Sequence, residues 1–261
     1  MSKSQLAHNL LAHISANGRR IVAVIKADFY QAYLDESGTH DGSPILTVAA
    51  YYGTREQWDA FISKWKHGHF HACEARFDKL KQDLVDAIDA SEIEGAEVCL
   101  RPYEFSSSAS PEMKSNLGNA YAAAMFLCVV GICELVSAEN DNARIAFVIE
   151  DGQPNASWVQ RLLLSFMAEH PTIASVTITS KGNMPHLYPA DFLAHSRSTT
   201  DTPWMDKLFT KGRCREMPID AEIFVQTSEE VKRLLRENRR RKAKERLERK
   251  IARKNESNGG V

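Results

Sequence analysis

One segment, residues 116–138, is apolar nearly all round the helix that its composition predicts. Such a helix must be covered on more than one side, so we expect it to lie between a β-sheet and other parts of the chain. Its most apolar part, residues 120–133, is shorter than the roughly 20 residues that cross a membrane. The segment therefore predicts a buried core helix in a layered fold, and no membrane partner.

Two predicted strands end in the same way, with a pair of acids shortly before a glycine. The first ends in Asp35 and Glu36, and the fourth ends in Glu150 and Asp151. Neighbouring side chains of a strand point to opposite faces, so only one acid of each pair can face a given partner group. The alternative is that each pair belongs to an ordinary turn, where acids and glycine are common. The predicted strands are 29–35, 45–52, 96–105, 145–149 and 173–179, and the predicted helices are 54–66, 76–90, 116–138, 156–170 and 187–195.

A third acid, Asp191, lies among apolar neighbours in the last of these predicted helices. A buried carboxylate is costly unless a cation or a hydrogen-bond donor meets it, so Asp191 is the least turn-like of the acids. Two-metal hydrolysis of phosphodiesters requires carboxylates from separate elements around ions that lie about 3.5–4 Å apart. Acids that converge repel one another without a cation, and hard cations prefer oxygen ligands, so the set predicts Mg²⁺ or Mn²⁺.

Alternating histidines support a different metal hypothesis. On an extended segment, His67, His69 and His71 would share one face and offer ring nitrogens to a transition metal. The alternative is a solvated loop whose histidines bind nothing.

The five cysteines are scattered and include no Cys-x-x-Cys pair. This pattern argues against a disulfide framework and against a thiolate zinc site, and it indicates a reducing compartment. The N-terminus shows no short apolar core behind positive charges, so no secretory signal is predicted. We therefore expect a cytoplasmic protein.

Charge is distributed unevenly along the chain, although the formal net charge is only -1. Residues 229–254 contain 13 Lys and Arg against 5 Asp and Glu, which leaves an acidic body and a basic tail. A basic helix of this kind is typical of an arm that lies on a nucleic-acid backbone. The alternative is a solvated helix with many ion pairs. The candidate phosphate-binding residues are Arg239, Arg240, Arg241, Lys242 and Lys244.

Two motifs together resemble a known bacterial family. They are Tyr-x-Asp-Glu-Ser-Gly at 33–38 and Ser-Lys-x(5)-Leu-x-x-Ala-Asp-Phe-Leu-Ala at 180–194, with an acid closing a strand between them. Over residues 30–197 the chain resembles the family catalogued as domain of unknown function 3800. The resemblance implies an α/β, ribonuclease H-like fold: a five-stranded mixed sheet of order 3-2-1-4-5, flanked by helices. The basic C-terminal helix lies outside it.

The resemblance also implies roles for individual residues in a metal-dependent nuclease. By this likeness Asp35 is the first-strand acid, either Glu150 or Asp151 the fourth-strand acid, and Asp191 the late-helix acid; these are the candidate catalytic residues. Further candidate metal ligands are Glu36 and Glu74, the latter in a Phe-His-x-x-Glu segment that resembles the family's own His-and-acid segment.

The chain departs from the family pattern before its last acid, where it has His-Leu-Tyr-Pro at 186–189 in place of Gly-Leu-Gln-Leu. The lost glutamine changes the expected substrate contacts, while Pro189 suits a first helical turn. His195 lies one helical turn after Asp191. It either contacts a phosphate, transfers a proton or only packs against neighbouring side chains.

The sequence thus predicts three regions: a helical extension at 1–28, a ribonuclease H-like domain at 29–226 and a basic helical tail at 227–261. The predicted function is Mg²⁺- or Mn²⁺-dependent hydrolysis of DNA or RNA, by analogy in phage defence or mobile-element biology. The alternative is a catalytically inactive module that binds nucleic acid or protein. The tail leaves a homodimer or a protein partner open.

Overall fold

The computed structural model describes residues 28–40, 43–75, 77–151, 156–167, 169–180, 182, 184–219 and 221–258. The predicted N-terminal extension lies outside these residues except for Asp28, as do residues 259–261 of the tail.

Six strands form one mixed sheet. They are β1 Phe29–Ser37, β2 Leu46–Thr54, β3 Glu94–Leu100, β4 Arg144–Glu150, β5 Ile173–Thr179 and β6 Cys214–Glu216. Their order is β5-β4-β1-β2-β3-β6; β2 runs antiparallel to its neighbours β1 and β3, and the other neighbouring pairs are parallel. The predicted α/β class and the order 3-2-1-4-5 are confirmed, but the predicted number of five strands is wrong. The sixth strand, β6, lies at the edge of the sheet. Its three residues are too few to show the alternation of apolar and polar residues from which a strand could be predicted within residues 203–224.

Helices cover both faces of this sheet. They are α1 Arg55–Lys64, α2 Asp78–Ser91, α3 Pro102–Ser108, α4 Pro111–Leu117, α5 Ala120–Glu139, α6 Ala156–Met167, α7 Tyr188–Ser198, α8 Thr202–Thr210 and α9 Ala221–Asn258. Side chains of α5 and α6 pack with one set of strand residues, including Leu34 and Ile149. Side chains of α1, α2, α7 and α8 pack with the other set, including Tyr33 and Val148. We call these two sides of the sheet the α5 face and the α7 face.

Helix α5 is the long apolar segment that the sequence predicts. Its side chains are buried along most of its length, from Tyr121 to Val136. It is also long and apolar enough to cross a membrane by length and composition, with a mean hydropathy of 2.0, and 61% of that window is buried inside the fold. Packing on both sides explains its composition, as expected for a core helix.

Helix α9 carries the basic tail. Its early residues belong to the core, since Val231 and Leu234 are fully buried. The Asn238 amide donates a hydrogen bond to the Ser165 hydroxyl on α6 (2.7 Å). From residue 239 to residue 252 every position is exposed. The helix therefore begins as part of the body and continues past it, and the predicted boundary at 226/227 falls inside it.

Gly38 ends β1 in a conformation that favours glycine, with φ at +79°. A Cβ atom at this position would collide with the carbonyl oxygen of Ile45, the residue before β2. We expect Gly38→Ala to lower the free energy of unfolding by at least about 2 kcal/mol, because strain and overlap with backbone add. Urea unfolding of the purified chain measures this.

The matched control for Gly38 is Gly68→Ala, where an added Cβ would meet nothing within 4 Å. It should change the unfolding free energy by less than about 0.5 kcal/mol, as is usual at exposed positions. Equal stability of the two variants would contradict the tight turn after β1.

Candidate active site

The pairing of β1 with β4 places two acids side by side. These strands are parallel, and Leu34 is aligned with Ile149, so the next step aligns Asp35 with Glu150. Neighbouring strands lie about 4.8 Å apart. Both acids follow residues of the α5 face and therefore point to the α7 face. The register thus puts Asp35 and Glu150 at one edge and on one face of the sheet.

Helix α7 brings the third predicted acid to the same place. Asp191 is only 6% exposed, and its Oδ2 accepts a hydrogen bond from the backbone N–H of Ala72 (2.7 Å). The end of α7 is tied to the end of β1 by a hydrogen bond between the hydroxyls of Ser37 and Ser198 (2.8 Å). Residues distant in the chain therefore meet at this edge.

A cleft of about 630 Å³ lies over these acids. Asp35 is 1% exposed and its Oδ1 accepts a hydrogen bond from the N–H of Glu36 (2.8 Å), so its orientation is fixed. Glu150 is half-buried, Asp151 is exposed, and Glu74, an exposed turn residue, is not among the described residues that line the cleft. The charged, imidazole and thiol side chains of the lining are Asp35, Glu36, His40, His71, Cys73, Glu150, Asp151, Asp191 and His195.

The second acid of each pair points the other way. Glu36 follows Asp35 along β1 and so turns toward the α5 face. The N–H of Asp151 donates a hydrogen bond to the carbonyl of Thr179 (2.7 Å), which keeps the chain extended one residue past β4. Asp151 therefore turns toward the α5 face as well. The cleft receives carboxylates from both faces at the end of the sheet.

Tyr121, in the first turn of α5, is a residue of this site that the sequence analysis missed. It is 5% exposed and packs in the α5-face core. Burial raises the pKa of its phenol above the ordinary value, and the nearby carboxylates raise it further, Glu36 most strongly. In the sequence, the only indication of this residue was a tyrosine hydroxyl at the start of an otherwise apolar helix.

His195 also lines the cleft, one helical turn after Asp191. Burial lowers the pKa of this imidazole below its ordinary value, while the carboxylate of Asp191 opposes the shift. His195 is half-buried and lies at the wall of the cleft.

The predicted histidine site is not formed. His67 pairs with Asp83 on α2 (2.9 Å), whereas His71 lies in the cleft with its Nδ1 2.9 Å from the thiol of Cys73. The rings of His69 and His71 are 6.5 Å apart. Among the described residues, no group of three or more His, Cys, Asp or Glu side chains is arranged to hold a metal ion.

The donor chemistry of the cleft nevertheless fits Mg²⁺ or Mn²⁺. Five carboxylates are available, and hard cations bind oxygen ligands. Mg²⁺ keeps several waters and is held through one or two carboxylates, so a closed cage of three protein ligands is not required beforehand.

The candidate phosphate-binding residues of α9 are all exposed, and none of them lines the cleft. The Arg241 guanidinium donates to the Asn238 amide oxygen (3.1 Å) and lies 4.0 Å from Glu245. Lys244 lies 4.0 Å from Glu248. Such long, exposed ion pairs contribute little, so the cations remain available to a partner.

No family model and no curated protein matches the chain, so the family resemblance stays a prediction from the two motifs. Among solved structures, a chain of the PCNA:RNase HII complex from Archaeoglobus fulgidus has 11% identity and a TM-score of 0.41, over 69% of this chain and 76% of that one. Bst-RNase HIII in complex with Mn²⁺ has 16% identity and a TM-score of 0.38, over 72% and 64%. Ribonuclease H2 from Pyrococcus horikoshii OT3 has 12% identity and a TM-score of 0.37, over 70% and 77%. All three TM-scores lie below 0.5.

Proposed function

We propose that this protein is a nuclease that hydrolyses phosphodiester bonds of DNA or RNA with the help of Mg²⁺ or Mn²⁺. The observation that supports it is the convergence of Asp35, Glu150 and Asp191 from two strands and a helix at one cleft. Carboxylates gathered from separate elements are what divalent-cation hydrolysis of phosphodiesters requires.

The register favours Glu150 over Asp151 as the partner of Asp35, because Glu150 shares its face of the sheet. Asp35, Glu150 and Asp191 would hold cations on the α7 face, with Glu36 and Asp151 contributing from the α5 face. A bound divalent cation stabilises charge on the phosphoryl oxygens and makes its bound water more acidic. Of the other residues, His195 lines the cleft and would hydrogen-bond a phosphate oxygen.

The basic part of α9 completes the proposal as a binding arm. Its exposed Arg and Lys side chains would neutralise phosphates outside the cleft, which raises affinity without selecting a sequence. An acidic cleft alone repels a polyanion, so the arm supplies the attraction that the cleft lacks. A role in phage defence or mobile-element biology remains a prediction of the family resemblance.

Cleavage assays on the full chain test the proposal. Wild type should cleave single- or double-stranded DNA, RNA or a hybrid with Mg²⁺ or Mn²⁺, and EDTA should abolish the activity. Asp35→Asn and Asp191→Asn should each lower the rate at least about 100-fold while nucleic-acid binding persists, because each removes a charge that holds the cation.

The matched control is Asp89→Asn, which makes the same change at an exposed position on α2. Its rate should equal that of wild type. If wild type cleaves none of these substrates at any concentration of either metal but still binds them, the inactive binding module replaces the nuclease.

A further inference from the structure

The hydroxyl of Tyr121 is a buried donor that packing does not explain. The side chain is 5% exposed, and among the described residues its hydroxyl has no hydrogen-bond partner. A phenylalanine would fill the same volume in the α5-face core without leaving a polar atom unsatisfied. Buried polar groups without partners are rare and costly, so this hydroxyl calls for an acceptor.

The surroundings of the hydroxyl indicate what that acceptor is. Burial is the main cause that keeps the pKa of this phenol above its ordinary value, and four carboxylates add to it, in decreasing order those of Glu36, Asp35, Glu150 and Asp151. A tyrosine hydroxyl is protonated at neutral pH and can donate a hydrogen bond. Glu36 has the strongest effect of the four and points to the face of the sheet on which Tyr121 packs, so its carboxylate is the candidate acceptor.

We propose that Tyr121 is a positioning residue of the cation site, whose hydroxyl donates a hydrogen bond to the Glu36 carboxylate and leaves the second oxygen of that carboxylate for a divalent cation. This inference rests on the proposed function. A ligating carboxylate is oriented by a hydrogen bond to its other oxygen, and such outer partners raise metal affinity. A cation that held Glu36 would fix the acceptor for this donor, so that cation binding and this hydrogen bond would support each other.

Isothermal titration of the 261-residue chain with MnCl₂ tests the inference, with Tyr121→Phe compared to wild type. We expect Mn²⁺ affinity to fall about tenfold or more. The melting temperature of the metal-free variant should be unchanged or higher, because the substitution removes an unsatisfied donor. Tyr103→Phe is the matched control, since Tyr103 is 81% exposed, and it should bind Mn²⁺ as wild type does.

A double-mutant cycle separates positioning from packing. In a Glu36→Gln background, adding Tyr121→Phe should cost Mn²⁺ affinity less than threefold, because the carboxylate that the hydroxyl orients is already gone. The inference is overturned if Tyr121→Phe lowers Mn²⁺ affinity as much in the Glu36→Gln background as it does in wild type. It is also overturned if Tyr121→Phe without added metal melts at a lower temperature than wild type.

The outcomes also separate this inference from the proposed function. If wild type binds Mn²⁺, Asp35→Asn does not, and Tyr121→Phe binds as wild type does, the positioning role is overturned and the cation site stands. If wild type binds no Mn²⁺, both proposals fall together. If wild type binds Mn²⁺ without cleaving nucleic acid, the cycle still decides the role of Tyr121.

Discussion

Replacing Arg239, Arg240, Arg241, Lys242 and Lys244 together by glutamine is expected to weaken nucleic-acid binding about 100-fold at low salt. All five side chains are exposed and lie beyond the hydrogen bond between Asn238 of α9 and Ser165 of the body. Each phosphate neutralised by a cation releases counterions and contributes about -0.9 to the slope of log affinity against log salt on duplex DNA. Losing five cations should therefore make the slope shallower by about 4.5.

Fluorescence anisotropy with labelled oligonucleotides over a series of salt concentrations measures both quantities. Glutamine is a good helix former, so α9 should stay helical and the far-ultraviolet circular dichroism of the protein should not change. A matched control neutralises five exposed cations of the body instead: Arg55, Lys64, Lys66, Lys79 and Lys211.

The control should keep most of the affinity and of the salt slope. If both variants lose affinity equally, nucleic acid lies on the body and not on α9. If the α9 variant binds as wild type does, the tail is a solvated helix or serves a protein partner.

Much of the sheet is predictable from residue type and period. β1, β2, β4 and β5 follow from runs of β-branched and aromatic residues, and each lies close to its predicted range. β3 is shorter than predicted: the strand was expected to reach residue 105 but ends at Leu100. Pro102 then starts a helix, where its fixed φ and missing N–H are tolerated.

The predicted long helix is also divided by local backbone chemistry. It was expected from residue 116, but α4 ends at Leu117 and Gly118 follows with a φ of +81°. The side chain of Asn119 then accepts a hydrogen bond from the N–H of Ala122 and caps α5. A glycine favours the end of one helix, and an asparagine after it favours the start of the next. The long apolar run that follows led to the prediction of a single helix.

The candidate site is only partly predictable because it depends on strand register. Residue type and spacing indicate three acidic positions but do not distinguish Glu150 from Asp151, because that distinction requires the alignment of Leu34 with Ile149. Tyr121 is close to the acids because α5 packs on the face of the sheet toward which Glu36 turns, chiefly against β2 and β3. The spacing of these residues in the sequence does not predict that they lie close together.

Glu97 is a buried acid outside the cleft that the sequence analysis also missed. It lies in the middle of β3 and is fully buried, with the Arg197 Nε 3.2 Å from one carboxylate oxygen. Burial raises its pKa to about 7; the charge of Arg197 opposes this effect and that of Glu216 adds to it. Glu216 also pairs with Arg197 (2.7 Å), so the two acids share one cation.

Glu97→Gln is therefore expected to remove a specific dependence of stability on pH. The folded-state pKa of Glu97, about 7, lies above its ordinary value of 4.5, so the folded protein binds this proton more tightly than the unfolded chain. The contribution is fully present below about pH 4.5 and is lost as the pH rises through about 7. Its size is about 3 kcal/mol, and the glutamine variant, which cannot ionise, should not lose it.

Urea unfolding at pH 5 and pH 8 measures the effect as a difference of differences. Between these pH values, wild type should lose about 2–3 kcal/mol more unfolding free energy than Glu97→Gln. Glu134→Gln, the same change at an exposed position of α5, should behave as wild type does. If wild type and Glu97→Gln lose equal amounts of unfolding free energy, Arg197 keeps Glu97 charged at both pH values. The ion pair then compensates for the burial of both groups.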